Sequence, residues 1–353
     1  MMTLKKFQYD TLNNLVISPQ LALKLSHIYE LRGKQYHLEQ TKIATLERLV
    51  DVAKIQSTDS SNRIEGIYTS DTRLKQLMER TTRPHNRSEE EISGYREVLN
   101  LIHDNYHDIP INTNTILGLH KQLFRFTNST WGGSFKDTDN QILTQFTDGT
   151  SELRFSPPAA HITPILIAEL CESYNAALQE EKFSPLLICA AFIFDFVSIH
   201  PFRDGNGRMS RLLMLLSLYQ NNFNVGKYIS LEKLIEETKS NYYETLAHSS
   251  IGWHENTNSY EPFLDYFLSI VLQAYRELEE RVDVTTETKL TVAQLIINHL
   301  KAQVKPLSKS ELITLIPQFS QKTIERGLKN LRDENKIEII GKGRSTKYIL
   351  KLN

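Results

Sequence analysis

Twelve consecutive residues, 200–211, place a glycine-rich turn and several charged side chains between two strongly apolar segments. The segments on either side, residues 186–199 and 212–219, are apolar enough to be buried helices. A chain that buries both helices must hold the turn between them on its core. This arrangement predicts a mainly helical protein with a functional site where the two buried helices meet.

The glycine turn itself predicts an anion site. Gly205 and Gly207 open the second helix, and the first N–H groups of a helix lack partners and lie at the positive end of its dipole. Arg208 and Arg211 are three residues apart, so we expect both to project from one face towards the same ligand. Because guanidinium groups suit phosphate oxygens, the turn is predicted to bind a polyphosphate.

Two further residues of this segment can support chemistry. Asp204 carries the hard oxygen ligands that suit a Mg²⁺ ion bridging phosphates. His200 has an ordinary pKa near neutrality and can take a proton from a hydroxyl. Taken singly, such residues are more often structural, since His before Pro commonly ends a helix and Asp-Gly is commonly a turn. Their coincidence favours a metal–polyphosphate site with a general base beside it.

Residues 200–211 resemble the signature of the Fic (Fic/Doc) family, His-Pro-Phe-x-Asp/Glu-Gly-Asn-Gly-Arg-x-x-Arg, at every specified position. They are similar to the branch that transfers AMP from ATP to protein hydroxyls. The phosphorylating Doc branch has Ala and Lys where this chain has Gly205 and Gly207. The resemblance implies an all-helical core with a β-hairpin flap, ATP and Mg²⁺ as cofactors, His200 as the catalytic base and Asp204 as the metal ligand. It also implies nucleotide contacts from Gly205, Asn206, Gly207, Arg208, Met209, Ser210 and Arg211.

A second fragment, residues 60–66, is weak alone, because Ser-x-x-x-Glu-Gly also describes a helix that ends in a glycine cap. Beside the signature, it resembles the Ser/Thr-x-x-x-Glu-Gly/Asn inhibitory motif of Fic proteins that carry their own N-terminal autoinhibitory helix. The resemblance implies that Ser61 and Glu65 form part of an autoinhibitory contact, the brake. In that brake Glu65 pairs with Arg211 and blocks the productive position of the γ-phosphate.

Residues 132–164 interrupt the helical pattern with glycines, prolines and two β-prone stretches, 141–146 and 152–155. Asp148-Gly149 between these stretches predicts a hairpin. The family resemblance implies a flap that holds the target segment by strand addition, and a plain surface hairpin is the alternative. Tyr242 and Tyr243 resemble the tyrosine pair that lines the nucleotide pocket in related sequences, with core packing as the competing interpretation.

Apolar spacing predicts the remaining helices of the body. They cover residues 21–31, 43–55, 89–103, 112–125, 162–178, 185–199, 207–220, 231–248 and 260–282. Ser88 is the predicted N-cap of the third, with Glu91 at the offset of a capping box.

The last part of the chain differs in charge from the rest. Residues 287–353 carry 13 Lys and Arg against 6 Asp and Glu, whereas the whole chain has a net charge of −1. Three predicted helices (292–300, 308–312 onwards, 320–332) precede short strands at 336–340 and 347–352, an order that resembles a winged helix-turn-helix. Protein docking or dimerisation is the alternative, because acidic residues dilute the basic face. The candidate DNA contacts are Gln321, Lys322, Arg326, Lys329, Lys342 and Arg344.

We predict three regions from these patterns. They are an N-terminal helical region, 1–110, with the inhibitory motif at 61–66, a Fic core, 111–283, and a winged-helix domain, 284–353. Cys171 and Cys189 lie in apolar helical contexts and indicate a reducing compartment. No apolar run reaches membrane-spanning length and the N-terminus lacks a signal peptide's apolar core, so we expect a cytoplasmic protein without a membrane partner. Family analogy adds a homodimer.

Together these features predict a protein adenylyltransferase. It would transfer AMP from Mg-ATP to a Tyr, Thr or Ser hydroxyl of a target protein, or of itself, under autoinhibition by Glu65. Three alternatives stay open at this point. The core could be the nucleotide sensor of a transcription regulator that acts on DNA through residues 284–353. The protein could instead remove AMP, with Glu65 positioning a water, or use another nucleotide-linked donor.

Overall fold

The computed structural model describes residues 17–145, 151–286, 291–302, 306–341, 343 and 346–351, together with residues 5–7, 9, 12 and 15. Helices dominate this part of the chain. The first group comprises α1 (Pro19–Thr41), α2 (Ile43–Ile64), α3 (Asp71–Met78), α4 (Arg87–Asn105) and α5 (Thr113–Leu123). The second group comprises α6 (Thr163–Glu180), α7 (Pro185–Ile199), α8 (Asn206–Gln220), α9 (Leu231–Glu237), α10 (Lys239–Ser250) and α11 (Glu261–Thr286).

Helix α7 is the centre of the core, because 13 of its 15 residues are buried. It packs against α6, α8 and α11, and each fully buried large side chain contributes about 1.5–3 kcal/mol. Its one buried carboxylate, Asp195, accepts hydrogen bonds from Trp253 Nε1 at 2.8 Å and Tyr260 Oη at 2.9 Å. Side chains from α2 and α4 belong to the same hydrophobic cluster as those of α7. The first two predicted regions therefore share one core.

A β-hairpin lies between α5 and α6. Strand β1 (Ile142–Gln145) pairs antiparallel with β2 (Ser151–Phe155), which confirms the predicted hairpin, while its Asp148-Gly149 turn lies outside the described residues. The last residue of β2, Phe155, packs against the helical part of the protein. Its ring stacks on His254 with a centroid distance of 5.4 Å and lies edge-on to Trp253 at 5.9 Å. The hairpin is thus anchored at the end of β2 nearest the core.

The C-terminal part forms a second, smaller hydrophobic cluster around Ile296, Ile324 and Ile337. Its elements are α12 (Val292–Ala302), β3 (Leu307–Ser308), α13 (Lys309–Leu315), α14 (Gln321–Asp333), β4 (Ile337–Ile340) and β5 (Lys347–Leu350). The strands form an antiparallel sheet in the order β3-β5-β4. The sequence did not predict β3. Lys342 and Arg344, two of the candidate DNA contacts, lie outside the described residues.

Several predicted boundaries are wrong for local reasons. Helix α4 is capped by Asn86, whose Oδ1 accepts from the N–H of Glu89 at 3.0 Å, so Ser88 is not its N-cap. The predicted helix 231–248 is two helices, because the backbone leaves the helical region at Thr238, with φ −114° and ψ 28°. Helix α2 continues past the predicted end at residue 55, and α3 was not predicted.

The described helices do not include a candidate membrane span. Within the described ranges, none of them combines the length and apolarity that a bilayer span requires.

Candidate active site

The junction between α7 and α8 is held in a fixed conformation by its own residues. His200 ends α7 with φ +50°, and Gly205 begins α8 with φ +82°. A Cβ atom on Gly205 would lie 2.8 Å from the Phe124 ring, so only glycine fits. The Asn206 side chain spans the loop, accepting from the N–H of Phe202 and donating to its carbonyl oxygen, both at 2.8 Å. Asn206 therefore offers a ligand only its backbone N–H.

His120, which the sequence did not single out, supports this loop from α5. Its ring stacks on Phe202 with the centroids 3.6 Å apart and the planes within 7°. Nδ1 accepts from the N–H of Gly133 at 3.0 Å, so the proton lies on Nε2, which donates to the carbonyl oxygen of Asp204 at 3.1 Å. Burial lowers the pKa of His120 to about 4. His120 is therefore a neutral structural support beneath the signature loop.

His200 is also neutral at physiological pH. Burial, with the nearby charge of Lys136, lowers the pKa of the imidazole to about 4. Its Nδ1 lies 3.4 Å from the Val197 carbonyl oxygen, which favours a proton on Nδ1 and leaves Nε2 as the acceptor. This is the protonation state that a general base requires.

Two residues that follow α5 hold the carbonyl groups around His200. Lys136 donates from its backbone N–H to Pro201 O at 2.9 Å and from Nζ to Ile199 O at 3.2 Å. Asn140 Nδ2 donates to His200 O at 3.4 Å and to Phe202 O at 3.2 Å. No local motif marked these two residues, because their function depends on tertiary contacts more than 50 residues apart.

A cavity of about 820 Å³ opens beside this junction. His200, Gly207, Arg211, Tyr242 and Tyr243, all predicted from the sequence, line it together with Glu65. The Tyr242 and Tyr243 rings lie next to each other with centroids 5.3 Å apart. The cavity is also lined by Arg154 from β2, whose guanidinium lies 4.8 Å from the Tyr243 ring centroid, and by Lys239.

The Glu65 carboxylate lies at the N-terminus of α8. Glu65 Oε1 is 2.8 Å from Arg211 Nη2, and a Cβ atom on Gly207 would collide with that oxygen. Ser61 contributes twice, because its Oγ accepts from Arg211 Nε at 2.7 Å and its carbonyl oxygen from Nη2 at 2.8 Å. Burial opposes ionisation of the Glu65 carboxyl, but the surrounding positive charges, chiefly Arg211, hold its pKa below the usual range. A carboxylate therefore occupies the anion position.

The other signature arginine has different partners. Arg208 is 1% exposed and its Nη1 lies 2.7 Å from Glu91 Oε2, while its guanidinium lies 5.1 Å from the Phe124 ring centroid. Arg208 and Arg211 thus contact separate carboxylates, Glu91 and Glu65. The Met209 side chain is in the core, and the Ser210 hydroxyl donates to Gly207 O at 2.7 Å, so neither side chain lines the cavity.

Asp204 is accessible and could ligate a metal. Its side chain is 44% exposed, and Oδ1 accepts from the N–H of Gly205 at 2.6 Å. Arg87 and Arg208 each approach an Asp204 oxygen to 3.6 Å. In the part of the chain that the structure describes, no three His, Cys, Asp or Glu side chains converge into a metal site. A Mg²⁺ ion at Asp204 would take further ligands from phosphate and water, which is its usual mode in phosphoryl-transfer sites.

The helical core and the junction of α7 and α8 belong to a fold that solved structures share. A Fic family protein from Desulfovibrio desulfuricans G20 superposes with a TM-score of 0.62 at 22% identity, covering 96% of this chain and 97% of that one. A Fic domain containing signaling protein from Bacteroides thetaiotaomicron VPI-5482 superposes with a TM-score of 0.59 at 24% identity, covering 71% and 94%. The protein therefore has the mainly helical Fic fold, with a small C-terminal antiparallel sheet.

Sequence comparison agrees with the fold. Residues 110–218 match the model of the Fic/DOC family. A Fido domain-containing protein of Dictyostelium discoideum is 41% identical over 73 residues, which cover 20% of this chain and 51% of the relative. Protein adenylyltransferase fic-1 of Caenorhabditis briggsae is 23% identical over 240 residues, or 65% and 42% of the two chains. The chain thus spans about half or less of the length of these curated relatives.

This chain contains a Fic/DOC family domain and is a distant homologue of protein adenylyltransferases.

Proposed function

We propose that this protein is an autoinhibited adenylyltransferase that transfers AMP from Mg-ATP to a Tyr, Thr or Ser hydroxyl of a protein. The observation that carries the proposal is the Glu65 carboxylate at the N-terminus of α8, paired with Arg211 inside the cavity that His200 lines. A site that holds a carboxylate in this way has the donors for a phosphate. The same contact supports the autoinhibitory role of Glu65, because the carboxylate and the γ-phosphate would compete for Arg211.

The donors at this site fit a triphosphate. The N–H groups of Asn206, Gly207 and Arg208 are the first of α8 and have no carbonyl partner within the helix. Arg211 adds charge-assisted hydrogen bonds once Glu65 leaves. Tyr243, and the cavity-lining part of Tyr242, which is 5% exposed and also packs in the core, would contact the adenine. Asp204 would hold Mg²⁺, which supplies neutralisation of phosphate charge when bound.

His200 provides the proton acceptor for the transfer. The oxygen of the target hydroxyl attacks the α-phosphorus, its proton passes to His200 Nε2, and the bond from the α-phosphorus to the bridging oxygen breaks to release pyrophosphate. Because the imidazole pKa is about 4, His200 is already unprotonated when the substrate arrives. Positioning and charge stabilisation then account for most of the barrier reduction.

The hairpin is suited to hold the target segment. β2 is fixed to the body through Phe155, and β1 pairs with β2 only, so the other edge of β1 offers unpaired backbone groups within the described sheet. An extended segment added to that edge would bring a hydroxyl to the cavity with little demand on its sequence.

Intact-mass spectrometry after incubation with Mg-ATP tests the proposal. We expect an AMP adduct on the Glu65→Gly variant, little on the wild type, and none on the Glu65→Gly/His200→Ala variant. ATP binding measured by calorimetry should survive in the double variant, because His200 accepts a proton and does not hold the phosphates. An adduct that persists without His200 would contradict the mechanism. ATP binding without any adduct would favour AMP removal, in which Glu65 positions a water.

The C-terminal part supports a second candidate function, DNA binding. Lys322, Arg326 and Lys329 are all exposed on α14, although Glu325 on the same helix pairs with Lys309 at 2.9 Å. Fluorescence anisotropy with duplex DNA over a range of salt concentrations tests this function. Each lysine that contacts a phosphate should reduce the salt slope by about 1 when replaced by alanine. A flat salt dependence would favour docking to a protein.

A further inference from the structure

The C-terminal end of α2 accepts hydrogen bonds from two cationic side chains that line the cavity, Arg211 and Lys239. The last four carbonyl groups of a helix have no partner within it, and here each has another donor. Two of the donors are cationic side chains: Arg211 Nη2 donates to Ser61 O at 2.8 Å, and Lys239 Nζ donates to Ile64 O at 2.6 Å. The others are backbone N–H groups. Those of Glu65 and Ile67 donate to Asn62 O, and that of Gly66 donates to Arg63 O, each at 3.0 Å.

Lys239 is the residue in this set without a role in the site described above. It begins α10 and lines the cavity, and its ammonium lies 5.9 Å from the Tyr243 ring centroid. A positive charge at the negative end of a helix is favourable, and a lysine that donates to a terminal carbonyl acts as a cap. The carbonyl that it holds belongs to Ile64, the residue directly before Glu65.

This position gives Lys239 control over Glu65. The Glu65 side chain is 31% exposed, so burial alone does not fix it on Arg211, which is 2% exposed. Its orientation depends on the last turn of α2, where the φ of Gly66 is +76° and the helix ends. If Ile64 O lost its donor, this turn would fray, and the carboxylate would spend less time at Arg211.

We propose that Lys239 is the latch of the inhibitory helix, a positioning residue that keeps Glu65 on Arg211 by holding the Ile64 carbonyl. The inference rests on the proposed function for the meaning of the brake, but the contact itself does not. Because Lys239 lines the cavity and is exposed, an anionic group that enters there can take the ammonium away from α2. Inhibition by Glu65 then weakens, although the anion does not compete directly with the Glu65 carboxylate for Arg211.

The test replaces Lys239 in two backgrounds. In the otherwise native chain, Lys239→Met should raise AMP self-modification about fivefold, which is the size expected for loss of one charge-assisted hydrogen bond at a partly exposed site. In the Glu65→Gly chain the same substitution should not raise AMP transfer, because no carboxylate remains to be positioned. Lys239→Arg keeps a donor and should restore inhibition. Lys233→Met, on α9 and paired with Glu237 at 3.8 Å, is the matched control.

Hydrogen exchange gives a readout that does not depend on catalysis. The amides of Glu65, Gly66 and Ile67 close the end of α2, and they should exchange about fivefold faster in Lys239→Met than in Lys233→Met. Unchanged exchange at these amides would overturn the latch. So would an equal rise in AMP transfer in the Glu65→Gly background. Faster exchange in a protein that makes no AMP adduct in any variant would retain the latch and reject the proposed function.

Discussion

Arg208 and Arg211 lie one turn apart on α8, and each contacts a carboxylate from the N-terminal helices, but the two regions differ in how that carboxylate is held. Glu91 and Arg208 are 4% and 1% exposed, and Glu91 lies in the second turn of α4. Glu65 is 31% exposed and follows the end of α2. One pair is enclosed within the core, and the other faces a cavity.

The difference teaches which carboxylate can leave. Removing one partner of an enclosed pair strands a charge away from water, whereas a helix end can fray at low cost. We infer that Glu91 fixes Arg208 as part of the structure, and that Glu65 holds Arg211 reversibly. Two of the four predictions below, those on Glu91 and Ser61, test this division, and the other two test the catalytic groups between the pairs; they run from the largest expected effect to the smallest.

Glu91→Ala should destabilise the protein severely. Arg208 would remain buried without its carboxylate, and breaking such a pair costs about 3–5 kcal/mol. Arg87 Nε, which lies 2.8 Å from the other Glu91 oxygen, would lose its partner as well. Urea unfolding measures the change, with Glu65→Ala as the control, for which we expect a much smaller loss because Arg211 faces the cavity and keeps both hydrogen bonds to Ser61. Equal losses in the two variants would break the comparison.

Asp204→Asn should impair catalysis and leave the fold intact. The amide cannot supply the charged oxygen that a Mg²⁺ ion prefers, so we expect AMP transfer by the Glu65→Gly protein to fall about 100-fold at fixed Mg²⁺. Thermal unfolding should change little, because the Asp204 side chain is 44% exposed and its two arginine contacts are 3.6 Å long. Transfer that stays normal and still depends on Mg²⁺ would place the metal elsewhere.

The sequence could predict the scaffold of the site because the scaffold is local. Helix α7 begins and ends where the apolar run does, at Pro185 and Ile199, since a fully buried helix needs no choice of face. The capping box of Ser308 and Glu311 is local in the same way, because both partners lie within one turn of α13. The hairpin followed from two β-prone stretches around a turn signal.

The sequence could not predict how the site is completed, because those contacts join distant parts of the chain. Glu91 meets Arg208, and Lys136 meets Ile199, only after the helices pack. Asn206 shows the same limit locally, since the signature implies a ligand contact for this residue but does not reveal that its side chain closes the loop on Phe202. Which atoms a motif residue presents to a ligand depends on backbone conformation, and residue spacing does not specify it.

Ser61→Ala should weaken the reversible pair without abolishing it. The substitution removes the hydrogen bond from Arg211 Nε to Ser61 Oγ and keeps the one to the backbone carbonyl. A loss of about 1 kcal/mol in the inhibited state would raise basal AMP transfer about fivefold. Rates of self-modification report the effect, and the Glu65→Gly/Ser61→Ala protein is the control, which should match Glu65→Gly. A further increase in that control would mean that Ser61 acts directly on nucleotide binding.

Lys136→Met should change the pH dependence of AMP transfer, because Lys136 lies beside His200 at the junction of α7 and α8. Burial and the Lys136 charge hold the pKa of His200 at about 4, and transfer is lost as pH falls through this value because the base becomes protonated. The pKa of Lys136 is itself lowered by burial, to about 8, so the ammonium is charged in acid. Removing that charge raises the pKa of His200 towards its usual range and moves the acid limb to higher pH.

In the Glu65→Gly background, we expect Lys136→Met to lower the ratio of the transfer rate at pH 5 to the rate at pH 7.5 about twofold. The effect is modest because burial lowers the pKa of His200 more strongly than the Lys136 charge does. The ratio cancels any loss of activity that is equal at both pH values, such as that from the missing bond to Ile199 O. Lys136→Arg retains the charge and should keep the native ratio. If Lys136→Met and Lys136→Arg lowered the ratio equally, the ammonium would act through the loop geometry and not through its charge.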